Sequence, residues 1–119
     1  MSKTAILYCE CDADILSAQT KLFSKAGYAV VPIQGRAAME TAVKAGGFDV
    51  AILGHTLTRD DRHHLQYMVK KSNAAARVVV LHASGRHPQV DVALDSRLGE
   101  HAVLQAIAHA AAEPVAVHR

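Results

Sequence analysis

Apolar positions gather in five short runs along the chain, at 5–9, 28–33, 48–53, 78–81 and 90–94. Each has the length of a strand, and several are rich in β-branched residues. Three of the runs are nearly continuous in apolar character, a pattern that suits strands buried on both faces of a parallel sheet. The intervening segments carry the helical period instead. Ile15, Leu22, Phe23 and Ala26 share a face of a segment that Asp12 or Asp14 can cap and that Gly27 can end in a left-handed conformation. Residues 36–45 turn Ala38, Ala42 and Val43 inward and stop at Gly46-Gly47. A third helix, about 60–71, places Leu65, Met68 and Val69 at i, i+3, i+4 spacing, and a last one, about 99–112, carries Val103, Leu104, Ile107, Ala108 and Ala111, with Glu100 near its positive end.

Strand and helix thus alternate from end to end, which predicts an α/β domain with a doubly wound five-stranded parallel sheet. In such folds functional groups collect where the carboxyl ends of the strands open onto a switch point, so the residues just after each strand are the ones to read for chemistry.

Composition narrows the picture. A chain of 119 residues with 50% hydrophobic and 20% charged residues can bury one core and is not of disordered type. We expect one domain over 1–113 and a short tail at 114–119, opened by the helix-ending Pro114. No apolar run approaches the about 20 residues of a membrane span, and the N-terminus lacks the pattern of a secretory signal, so no membrane partner and a cytoplasmic location are expected. Thirteen Lys and Arg against eleven Asp and Glu leave a formal charge of +2, too small and dispersed to imply nucleic acid. Cys9 and Cys11 are poor candidates for a disulfide, since the reducing compartment expected for this chain would not keep one.

Read together, the strand ends bring out a family. The stretch from Ile6 to Ile15, with Glu10, Cys11 and Asp12, resembles the opening of response-regulator receiver domains of the CheY-like kind, where a pair of acids follows the first strand. Ala26-Gly27-Tyr28-Ala29-Val30 is similar to that family's turn into its second strand, residues 48–54 to its "FDLVLLD" and residues 78–84 to its "VVVLTA". Leu98, Val103, Leu104 and Ile107 match the apolar pattern that follows its Lys-Pro pair. The resemblance covers residues 4–112 and implies a flavodoxin-like, CheY-like architecture. It also implies a phosphoryl group accepted on an aspartate, with magnesium held by acidic oxygens and a hydroxyl and a Lys nearby.

The chain departs from that pattern at the positions that matter. Gly54 stands at the acceptor position, Cys11 puts a soft sulfur in place of the second acid, His82 replaces the Ser or Thr, and Ser96 the Lys, leaving Glu10 as the one carboxylate. Asp49, at the far end of its strand, does not replace the acceptor. The expectation is a pseudo-receiver with a degenerate pocket of Glu10, Cys11, Gly54, His82 and Ser96, without phosphoacceptor, catalytic residue, cofactor or metal. Only 13 residues separate His82 from Ser96, fewer than in the family, so the fourth helix is expected shortened or missing.

The resulting functional expectation is a signalling module that works through a protein partner in a two-component-type pathway and is not an enzyme. A metal- or redox-sensing domain using Cys11 and His82 is the competing one. The plainer account of these residues is that a lost acidic pocket was filled by neutral side chains, with Gly54 making room for the His82 imidazole. His55 should alternate away from the pocket. His63 and His64 point about 100° apart on a helix and suit a solvated face better than one ion. Arg59, Arg62, Lys70, Lys71 and Arg77 make one side mildly basic, and the alanine-rich last helix offers a surface for homodimerisation. No Gly-rich phosphate loop or nucleotide fingerprint points to an enzyme.

Overall fold

The computed structural model describes residues 4–81, the backbone of 92–94, and positions 104, 105, 107 and 108. Its elements in chain order are β1 (Ala5–Glu10), α1 (Ala13–Lys25), β2 (Ala29–Gln34), α2 (Arg36–Ala45), β3 (Val50–Leu53), α3 (Arg59–Ser72), β4 (Arg77–Leu81) and β5 (Val92–Leu94). The strands form one parallel sheet in the order β2-β1-β3-β4-β5. The order reverses direction between β1 and β3, which makes the carboxyl ends of those two strands the switch point.

The continuous apolar runs are explained by two cores, one on each face. Leu7, Cys9, Ala51, Leu53, Val78 and Val80 point to one side, where Met39 and Val43 of α2 and Leu65 and Val69 of α3 cover them. Their neighbours Ile6, Tyr8, Val50, Ile52, Val79 and Leu81 point to the other, against Leu16 and Phe23 of α1 and Ile107. Tyr8 and Phe23 meet edge to face with ring centroids 5.1 Å apart. β2 lies at an edge of this sheet, and only Ile33 of it is buried. Pro32, which has no N–H to give a ladder, is tolerated there.

Local chemistry sets the helix ends. The Asp12 carboxylate accepts the N–H groups of Asp14 and Ile15 at 2.9 and 3.0 Å, so Asp12 and not Asp14 caps α1. Gly27 follows the end of α1 at φ +105°, a region other residues avoid. Thr58 caps α3 by accepting from Asp61 N–H at 3.1 Å. Two helix faces differ from expectation. α1 buries Leu16 with Phe23 while Ala26 is exposed, and α2 buries Met39 with Val43 while Ala38 is exposed. In both, a long side chain that fills more volume against the sheet takes the inward position from alanine or from its neighbour. The third apolar run starts two residues before its strand, because buried Phe48 belongs to the core but Asp49 instead accepts Ala5 N–H on its carboxylate at 2.9 Å, outside the strand. That places Asp49 at the amino end of β3, away from the switch point, as expected. The tail at 114–119 and the fourth helix lie outside the described residues.

Candidate functional site

The site is built where β1 and β3 end side by side. Cys9 pairs with Leu53 in register, so Glu10 and Gly54, one residue further on, stand next to each other. Alternation puts Tyr8 and Glu10 on the same face of β1, and Tyr8 shares the α1-side core with Ile52 of β3. Gly54 N–H donates to the Cys9 carbonyl at 2.9 Å, which holds the two chain segments together just past the end of β3.

Glu10 is fully buried, and its carboxylate turns across to Gly54. A Cβ built on Gly54 would overlap the carboxyl carbon and both oxygens of Glu10. An uncompensated buried carboxylate would be very costly, and the donors that compensate it are present. Oε1 accepts the Thr56 N–H at 2.9 Å and the Thr56 hydroxyl at 2.5 Å, and Oε2 accepts the Tyr8 hydroxyl. His55 Nδ1 lies 3.8 Å from Oε2. The Thr56 oxygen also accepts the N–H groups of Cys11 and Asp12, at 2.8 and 3.2 Å. One hydroxyl therefore ties the β1–α1 turn, the β3–α3 turn and the buried carboxylate into a single unit.

Titration behaviour follows from this packing. Burial, and then the hydrogen bond to Glu10, push the Tyr8 phenol upward, so it stays a neutral donor. Burial pushes the Cys9 thiol up to about 12, with Cys11 and Glu10 adding to the shift, and its Sγ donates to the Gly35 carbonyl at 3.4 Å. Cys11 is exposed, yet its thiol is also raised, by desolvation first and then by the negative charges of Asp61 and Glu10. A reactive cysteine needs the opposite setting, a nearby cation that favours the thiolate.

The five expected pocket residues are thus only partly brought together. Glu10 and Gly54 are in contact, and Cys11 joins them through its backbone, with its carbonyl accepting from the Gln34 amide at 3.2 Å. His82 and Ser96 lie outside the described residues. The room at Gly54, expected for the His82 imidazole, is taken by Glu10. His55, expected to turn away, approaches Glu10, because strand alternation ends with Leu53 and no longer governs it.

Tyr8 and Thr56 were missed. Tyr8 falls inside the apolar run at 5–9, and the available signal is its i, i+2 spacing from Glu10 on one strand face. Thr56 had a weaker signal: a hydroxyl residue just past a strand, where loop N–H groups lack ladder partners.

The donor set does not fit the magnesium ion that the resemblance to receiver domains implies. Both oxygens of Glu10 are committed to hydroxyl and amide donors, Cys11 offers sulfur, and the Asp12 carboxylate caps α1. Among the described residues no group of three or more His, Cys, Asp and Glu side chains is placed to hold a metal ion. Of the basic side chains of α3, Arg62, beside the β3–α3 turn, donates to the Leu57 carbonyl at 2.5 Å, and Lys70, at the far end of the helix, to the Ala76 carbonyl at 2.7 Å. His63 meets the Tyr67 ring edge-on, and His64 lies 3.4 Å from Glu40, so the two histidines do face different partners.

No protein-family model and no curated protein sequence matches the chain. Solved structures do. A CheY-like response regulator receiver domain protein from Methanospirillum hungatei superposes with a TM-score of 0.78 at 14% identity, over 91% of this chain and 93% of that one. The signal receiver domain of an HD domain-containing protein from Pseudomonas fluorescens gives 0.77 at 14% identity, over 92% and 94%. The response regulator protein TrrA from Thermotoga maritima, solved in complex with magnesium and beryllofluoride, gives 0.76 at 12% identity, over 88% and 96%. With helices on both faces of a parallel sheet of order 2-1-3-4-5 and its switch point at β1 and β3, the chain has the fold of the CheY-like receiver domains.

Proposed function

We propose that the protein is a receiver-like signalling module that does not take a phosphoryl group on an aspartate and acts by binding a protein partner in a two-component-type pathway. The observation that carries this reading is Gly54 with the Glu10 carboxylate lying in the place its side chain would need. An aspartyl phosphate requires a carboxylate nucleophile with an open approach and a cation to offset the charge that develops. Residue 54 has no nucleophile here, and Glu10, the carboxylate beside it, is enclosed and already holds three donors. The substitutions at His82 and Ser96 and a reduced fourth helix belong to the same reading. So does homodimerisation through the last helix.

A metal- or redox-sensing role for Cys11 and His82 has less behind it. The Cys11 thiol is raised by desolvation first and then by its acidic neighbours, which disfavours the thiolate that either role needs.

Incubation with acetyl phosphate and magnesium, followed by intact mass with and without hydroxylamine, tests the proposal. We expect no phosphoryl increment under conditions that modify an ordinary receiver. A hydroxylamine-labile adduct, the signature of an acyl phosphate, would overturn it.

A further inference from the structure

We propose that Glu10 and Gly54 form an exchanged pair, in which residue 10 supplies from within the chain the group that occupies the pocket, and residue 54 is glycine because that group is there. The proposal deepens the reading above by naming what regulates the site: the pocket is self-occupied, so the β3–α3 turn is held in one arrangement without an external ligand. Three observations converge on it. The three atoms nearest to a Cβ at Gly54 are the carboxyl carbon and both oxygens of Glu10. That carboxylate meets a ready set of donors, the Thr56 N–H and hydroxyl and the Tyr8 hydroxyl. The same Thr56 oxygen fastens the β1–α1 turn through Cys11 and Asp12. Gly54 does not have the left-handed backbone that favours glycine, unlike Gly27, Gly35, Gly46 and Gly47. Its lack of a side chain is therefore a matter of space.

If the pair is exchanged, the effects of the two positions must depend on each other. The closest overlaps of a methyl group at 54 are all with the Glu10 carboxylate, so Gly54→Ala should lower the melting temperature sharply in the natural chain and much less on a Glu10→Ala background. Glu10→Gln keeps the bulk and should leave Gly54→Ala as harmful as before. Should Gly54→Ala alone fail to fold, recovery of folding in the Glu10→Ala, Gly54→Ala chain carries the same information. Glu10→Ala also vacates a site lined by carboxylate donors. Formate, which is small enough to clear the remaining Cβ, should raise the melting temperature of Glu10→Ala relative to chloride at equal ionic strength. It should not do so for the natural chain, for Glu10→Ala with Thr56→Val, or for Glu10→Ala with Gly54→Ala. Equal effects of Gly54→Ala on both backgrounds would overturn the proposal, as would the absence of a formate response in Glu10→Ala. The proposed function fails separately: an acyl phosphate on the natural chain would reject it, while coupled substitutions would leave the exchanged pair standing.

Discussion

The two cysteines show how much neighbouring charge and burial decide about a residue. Cys9 and Cys11 are two positions apart, yet Cys9 is enclosed in the core while Cys11 is exposed. Both thiols are raised, and for Cys9 the shift bears on stability. A neutral thiol is favoured in the folded state, so its contribution is fully present below the ordinary value of 9.0 and is lost as pH rises toward about 12. Urea unfolding across that alkaline window should show stability falling with pH, and Cys9→Ala should make the fall shallower without removing it, since the raised Tyr8 phenol acts in the same direction. An unchanged slope in Cys9→Ala would show that Cys9 does not contribute. The pocket residues were legible one at a time: Glu10 and Gly54 stand out in the sequence as the surviving acid and the missing acceptor. Their relation was not legible, because it depends on the lateral register of β1 and β3 and on which face Glu10 takes, neither of which the pattern within a single run encodes.

At the scale of the elements, periodicity located every described strand and helix to within a few residues, since continuous apolar runs and capped amphipathic segments are strong local signals. The helix faces were less legible. Alanine is a good helix former on any side, so Ala26 and Ala38 said little about direction, and Leu16 and Met39 took the buried places by volume. The cap of α1 bears on function as well as on folding. Asp12 follows Glu10 and Cys11 closely enough to be mistaken for the second acid of a metal pair, but its carboxylate is turned to the helix amides. Asp12→Ala should therefore cost about 1 kcal/mol of stability, the usual worth of such a cap, and Asp12→Asn only a small part of that. Chemical denaturation measures both. A loss in Asp12→Asn as large as in Asp12→Ala would mean that the charge itself, and not the cap geometry, is what the site uses.

For the molecule as a whole, two cores on opposite faces of one sheet fix the strands whose ends form the pocket, so the site is set by the fold and not by a loose surface loop. A receiver that takes magnesium and beryllofluoride gains stability by mass action. At a hundred times its dissociation constant a ligand specific for the folded state adds about 2.7 kcal/mol, which in a domain of this size amounts to a shift of roughly 10 °C in melting temperature. TrrA from Thermotoga maritima, solved with those ions, is the natural control. In the present chain the same ions meet a carboxylate already closed over by Thr56 and Tyr8, with no side chain at residue 54 to share the metal. Binding would first have to pull Glu10 away from three donors, at a cost comparable to the whole gain. Thermal melting with and without magnesium and beryllofluoride should therefore coincide. A shift of several degrees would mean that Glu10 leaves its place readily and that the pocket is open to ligands after all.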